Sequence, residues 1–246
     1  MKPTFYLSGP GATRYAIYVE APRGLRAGKT APAIAWMDGD MLFAPAVKTY
    51  REMEAAGEIA PLFLIGVGYG AGFGKPGNER LRDYTPTALK TESGSGGAAA
   101  FHAFLTATLW PELAQRYPID SHLRGLAGHS LGSLLVLYAL FQPKPFFNRF
   151  MASAPSIWWD DRAILHHAAA LQATGVSLPA RLHLSSGAED TESMTGDLVL
   201  MERQLALHPF PLLEVASTRY LERDHYNVIP DATRGGLKFL LSQRPV

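Results

Sequence analysis

From residue 15 onward, short apolar runs alternate with longer stretches in which apolar residues recur every three or four positions. YAIYVEAP (15–22) alternates and is rich in strand formers, and APAIAWMDGD (31–40) reads as a short buried strand ending in an Asp-Gly turn. APLFLIGVGYG (60–70) is a continuous apolar run, the pattern of a strand covered on both faces. Helical periodicity predicts a helix over 44–58, stopping at Gly57, and another over 98–117, kinked near Pro111. Four strand–helix pairs follow: HLRGLAGHS with LGSLLVLYALF, FNRFMASAP with DDRAILHHAAALQAT, ARLHLSSG with MTGDLVLMERQLALH, and LLEVASTRYL with DATRGGLKFLLSQR. This alternation predicts an α/β protein with a mostly parallel sheet and helices on both faces, one domain over residues 1–246. Reactive groups of such sheets sit beyond the carboxyl ends of the strands.

Composition narrows the chemistry. Hydrophobic residues make up 47% of the chain and charged residues 18%, enough for one large core. A formal net charge of +1 gives no reason to expect nucleic acid or an acidic membrane as partner. The absence of cysteine removes disulfides, thiolate metal sites and cysteine nucleophiles. The N-terminal stretch has no continuous apolar core of a leader, so a cytoplasmic location is expected for the sequence as it stands. Adjacent His166 and His167 point about 100° apart on a helix and lack a third ligand motif, so no metal is expected. SGSGG (93–97) lacks the lysine of a phosphate-binding loop and does not directly follow a strand.

One stretch carries the strongest chemical signal. GHSLG places Gly128 and Gly132 two residues either side of Ser130, between a strand and a helix. A nucleophile on so sharp a turn needs small residues at both flanks. The helix behind it aims its N-terminus at the reacting centre, so the Leu131 N–H can hold a developing oxyanion. A serine hydroxyl also needs a base, and the base an orienting acid. Among the late histidines, only His225 lies between the last strand and the last helix, where the base must be. The loop after ARLHLSSG offers two acids, Glu189 and Asp190. In MDGD the small Gly39 permits close approach, and the Asp40 N–H is the expected second oxyanion donor.

AWMDGDMLF, RDYTP, SGSGGAAAFHAFL, GHSLGS, SAPSIWWDD, GAED and RDHYNVIP occur in this order from about residue 15 to the C-terminus. Together they resemble the esterase family of α/β-hydrolases that contains enterochelin-type siderophore esterases and relatives of esterase D. The resemblance implies an α/β-hydrolase fold with little or no cap, Ser130 as nucleophile, His225 as base and a GAED acid as its partner. In hydrolases of this class the acid commonly stands three residues after the glycine ending the strand, which selects Asp190 over Glu189. The MDGD turn resembles the early oxyanion loop of the related mycolyltransferases. Ser133 departs from the second glycine usual after GHSLG and should alter packing behind the turn. No counterpart of the extra N-terminal domain of cytoplasmic enterochelin esterases is expected at the start of this sequence.

The resulting expectation is a serine ester hydrolase without cofactor, acting through an acyl-enzyme on small or medium carboxylic esters, with siderophore esters second. Tyr69, Arg80, Trp158 and Tyr226 are the expected substrate-binding residues, with residues 70–97 as a mobile pocket-shaping segment. Arg80, Arg82 and Lys75 would supply the cations an anionic siderophore needs, unless the arginines pair with Glu79 or Asp83. The alternatives are acyl transfer from the same acyl-enzyme, or a catalytically silent binding protein on the same fold.

Overall fold

In the computed structural model, which describes residues 1–242, the apolar run at 60–70 contains a strand with every residue buried. Phe63, Ile65 and Val67 join one hydrophobic cluster, while Leu64 joins a second on the opposite face. That two-faced burial extends across the sheet's centre. The strands are β1 (Phe5–Ser8), β2 (Arg14–Glu20), β3 (Ala31–Trp36), β4 (Phe63–Gly68), β5 (Ile119–His129), β6 (Arg149–Ser153), β7 (Ala180–Gly187) and β8 (Leu213–Tyr220). They form one eight-stranded sheet in the order β1-β2-β4-β3-β5-β6-β7-β8. β1 and β2 run antiparallel to their neighbours, and the pairings from β4 to β8 are all parallel.

The helices are α1 (Gly39–Ala55), α2 (Arg80–Tyr84), α3 (Ala98–Phe104), α4 (Trp110–Arg116), α5 (Leu131–Leu140), α6 (Trp159–Gln172), α7 (Glu192–Leu207) and α8 (Ile229–Leu241). α1 and α8 cover one face, where Phe43 and Leu237 pack with Trp36 and Leu64. The helices from α3 to α7 cover the other, through residues such as Phe101, Leu135, Ile164 and Leu198. This is the α/β-hydrolase fold. No helix among the described residues is long and apolar enough to cross a membrane.

Several boundaries depart from the sequence pattern for physical reasons. β1 is only four residues long, too short for alternation to register. α1 begins at Gly39 and not at residue 44, because Asp38 takes a left-handed conformation (φ 56°, ψ 43°) and the Asp-Gly pair starts the helix instead of closing a turn. The kink near Pro111 is a π-helical turn, Leu105–Leu109, between α3 and α4. Its wider winding accommodates a proline that cannot donate to the ladder. The helix expected over DATRGGLKFLLSQR ends at Leu241, and residues 243–244 of that expectation lie outside the described residues.

The stretch 70–97 is not without structure. It contains α2, and the fully buried Asp83 of that helix ties it to the core. Asp83 Oδ2 accepts hydrogen bonds from Tyr15 (2.7 Å) and Tyr69 (3.0 Å), and Oδ1 accepts one from Arg82 Nε (2.8 Å). Burial pushes this carboxyl above its ordinary range, and Arg82 and the two phenols pull against it. Removing a partner from such a buried cluster leaves the others unpaired. Asp83→Ala should therefore cost about 3–5 kcal/mol in urea unfolding. A loss within about 0.5 kcal/mol, the range of ordinary surface substitutions, would contradict the anchoring.

Candidate active site

Ser130 follows the last residue of β5 and precedes the first of α5. Its backbone sits at φ 58° and ψ −124°, a region that side-chain-bearing residues rarely occupy. The turn is held from several sides. The Ser130 N–H donates to Ser153 O (3.0 Å), and its carbonyl accepts from the N–H groups of Ser133 (3.0 Å) and Ser156 (3.3 Å). A Cβ at Gly128 would collide with the Gly132 backbone, so the glycine before the serine is needed for chain to pass chain. Ser133 is fully buried, and its hydroxyl lies 2.7 Å from both Gly128 O and Ser153 O. The expected change behind the turn is thus a stitch between the ends of β5 and β6. The Leu131 N–H lies in the first turn of α5, where no carbonyl of the helix can accept it.

The loops after β7 and β8 bring an acid and a histidine together. His225 Nδ1 lies 2.8 Å from Asp190 Oδ2. Asp190 Oδ1 accepts from the Thr191 N–H (2.7 Å), and the carboxylate is only 1% exposed. Glu189 is solvent-exposed, while its N–H donates to Arg223 O (2.9 Å). Gly187 makes this approach possible. A Cβ there would run into the Arg223 carbonyl and come within 2.7 Å of Asp224 O. Asp224 caps the next turn through Oδ1, which accepts from the Tyr226 and Asn227 N–H groups (both 2.8 Å). These donors hold its carboxyl below the ordinary range.

Ser130, His225 and Asp190 line one cavity of about 350 Å³. Leu131 and Met194 supply apolar wall; Ser156, Thr191 and Ser193 supply hydroxyls. Trp158 and Tyr226 stand at the rim, 44% and 74% exposed. The Ser156 hydroxyl is 3.4 Å from that of Ser130. Sequence reasoning passed over Ser156; the signal available was its place in SAPS, just beyond the carboxyl end of β6.

His129 was also overlooked. It is buried beside the serine, with Nδ1 3.2 Å from Ser153 Oγ and its ring 4.6 Å from that of His225. Burial, reinforced by repulsion from His225 and Arg80, pushes its pKa down to about 3. At neutral pH it is an uncharged neighbour of His225.

Two expected substrate contacts fall elsewhere. Arg80 makes two hydrogen bonds to the buried Asp38, 2.9 Å to Oδ1 and 3.0 Å to Oδ2, and its guanidinium lies over the Phe73 ring. It pairs with neither Glu79 nor Asp83; Arg82 takes those partners. Tyr69 is buried, its hydroxyl committed to Asp83. Neither residue lines the cavity.

Asp40 lies in the first turn of α1. Its carboxylate accepts from the N–H groups of Tyr69 (2.5 Å) and Gly70 (3.0 Å) and from the Tyr18 hydroxyl (2.6 Å). The side chain is thus spent on joining α1 to the end of β4. The preceding turn abuts the elbow: a Cβ at Gly132 would stand 3.2 Å from Met37 Cβ.

An α/β-hydrolase sheet thus brings a strained serine at a strand–helix turn and a histidine–aspartate pair into one cavity. The chain belongs to the esterase family described as "Putative esterase", whose model matches residues 11–203. It is 35% identical to the "Siderophore triacetylfusarinine C esterase" of Aspergillus fumigatus over 178 residues, 69% of this chain and 61% of that protein. It is 30% identical to the "Siderophore enterobactin esterase" of Emericella nidulans over 258 residues, covering 88% of this chain and 84% of the relative. Among solved structures, the BES protein from Bacillus cereus superimposes with a TM-score of 0.88 at 24% identity, covering 97% of this chain and 94% of the other. Siderophore hydrolase EstB from Aspergillus nidulans gives 0.85 at 25% identity, with 98% and 96% covered.

The Gly187 contact makes the histidine–acid geometry testable from outside the site. Gly187→Ala should force the 222–225 loop away and lower kcat on a chromogenic ester by about a hundredfold, the scale of an ångström misplacement. An undiminished kcat would mean that this glycine does not set the His225 position.

Proposed function

We propose that this protein is a serine carboxylic ester hydrolase in which Ser130 attacks the ester carbonyl. His225 Nε2 takes the serine proton while Nδ1–H remains bonded to Asp190, which keeps the tautomer correct and stabilises the imidazolium. The N–H groups of Leu131 and Asp40 hold the oxyanion of the tetrahedral intermediate. Collapse expels the alcohol, protonated by His225, and leaves an acyl-Ser130. Water, deprotonated by His225, then releases the acid and regenerates the serine. No cofactor enters this sequence.

The observation that carries this reading is the 2.8 Å His225–Asp190 contact in the cavity that Ser130 lines. Burial strengthens it, because a carboxylate shielded from water acts on the imidazolium with little screening. The relatives' names extend the reading to siderophore esters as natural substrates, beside the simple acyl esters that any such site can open. All of these substrates are small molecules.

Replacing the acid by its amide should leave the fold intact and spoil the tautomer. Asp190→Asn is expected to lower kcat by up to about ten-thousandfold. Glu189→Gln should stay within about twofold, since an exposed side chain with no site contact contributes little. Ser130→Ala should abolish turnover. A dead Glu189→Gln beside an active Asp190→Asn would reassign the acid, and an active Ser130→Ala would end the proposal.

A further inference from the structure

We infer that the cavity selects uncharged esters and discriminates against esters with an anionic acyl portion; this rests on the hydrolase reading above. No lysine or arginine lines the cavity among the described residues. Of the lining groups, only Asp190 and His225 can carry charge at neutral pH, and the two are bonded to each other. The remaining wall is two apolar side chains, three hydroxyls and two aromatic rings. An entering carboxylate would lose water and find no cation to replace it.

The cations nearest in sequence to the lining residues are already spent. Arg162 Nε donates to the buried Asp197 (2.6 Å), and Arg223 Nε to Asp231 (2.5 Å). Arg80, the arginine that sequence reasoning offered to an anionic substrate, is held by Asp38. Carboxylates border the same segments. Glu189 and Glu192 are exposed on either side of Asp190 and Thr191, and Asp161 is almost wholly exposed three residues beyond Trp158. Asp224, adjacent to His225, is kept ionised by its two backbone donors. Asp161 also pairs with Arg162 (3.8 Å), and the exposed Glu189 and Glu192 offer an approaching anion no attraction.

The rim offers a flat apolar surface in place of charge. Trp158 is exposed while its neighbour Trp159 is buried, with Nε1 donating to the Thr87 hydroxyl (3.1 Å). Asp160, Asp161 and Arg162 all follow in left-handed conformation, with φ of 48°, 48° and 63°. Three such residues in succession, none of them glycine, are strained and persist only where their surroundings hold them. The buried Trp159 on one side and the Arg162–Asp197 pair on the other hold the turn. What it achieves is the presentation of Trp158 to the cavity that the exposed Tyr226 also lines.

The test compares mono-4-nitrophenyl adipate with its methyl-capped counterpart, substrates of near-equal length that differ by one charge. The capped ester should show a kcat/KM at least about tenfold higher, the scale of one unfavourable charge contact near a protein surface. The gap should shrink in concentrated salt, which a purely steric preference would not do. Ser193→Lys, at an exposed position of the wall, should narrow the gap by several-fold by raising activity on the anionic ester. Equal or faster cleavage of the anionic ester by the unaltered protein would overturn the inference, as would a gap unmoved by both salt and Ser193→Lys. Loss of both activities together, or persistence of both in Ser130→Ala, would instead count against the hydrolase reading, so the two failures are distinguishable.

Discussion

The site depends on one backbone constraint, the conformation of Ser130. A side-chain-bearing residue at φ 58° and ψ −124° costs about 1–3 kcal/mol and persists only where the surroundings over-determine it. Here they do. β5 pairs on both sides with parallel neighbours, so its end cannot shift. The Ser130 carbonyl and N–H are tied to α5 and to the strand end of β6, and Ser133 ties β5 to β6. The strain lifts one hydroxyl clear of the sheet and leaves the first N–H groups of α5 turned toward the same space.

Parallel strands then determine what can meet that hydroxyl. β6, β7 and β8 end on the same side of the sheet in near register. Their trailing loops deliver Ser156, Asp190 and His225 to one cavity although long stretches of chain separate them. On the other flank, Met37 and Asp38 lie against the first turn of α5, and the Asp38–Arg80 pair joins that turn to α2. Burial pushes the Asp38 carboxyl up, while the guanidinium opposes the shift by favouring its charged form. The cation that reads as a substrate contact in the sequence is paired here with a buried carboxylate.

Much of this was legible before any coordinates. Strand–helix alternation revealed the sheet class because burial on two faces leaves a continuous apolar run, as in β4, which few other arrangements produce. Ser130 was legible because its geometry demands glycines, and glycines are visible in a sequence. His225 was legible by position, being the histidine between the last strand and the last helix. What stayed hidden was decided by tertiary partners. Tyr69 and Arg80 look like pocket residues in a glycine-rich stretch, and only Asp83 and Asp38, more than ten positions away, show where their polar groups go. His129 carries no local pattern that separates it from an ordinary buried polar residue, and Ser156 has only its place just beyond the carboxyl end of β6. The left-handed run after Trp159 contains no glycine, so nothing in its residue types announces it.

The central claim is that Ser130 is the nucleophile that His225 activates. The most direct measurement is intact-mass and peptide mapping after treatment with a fluorophosphonate, in the unaltered protein and in His225→Ala. The account predicts a single adduct on Ser130, formed rapidly in the first and very slowly in the second. An adduct on another residue, or ester hydrolysis that continues after Ser130 is fully modified, would contradict it.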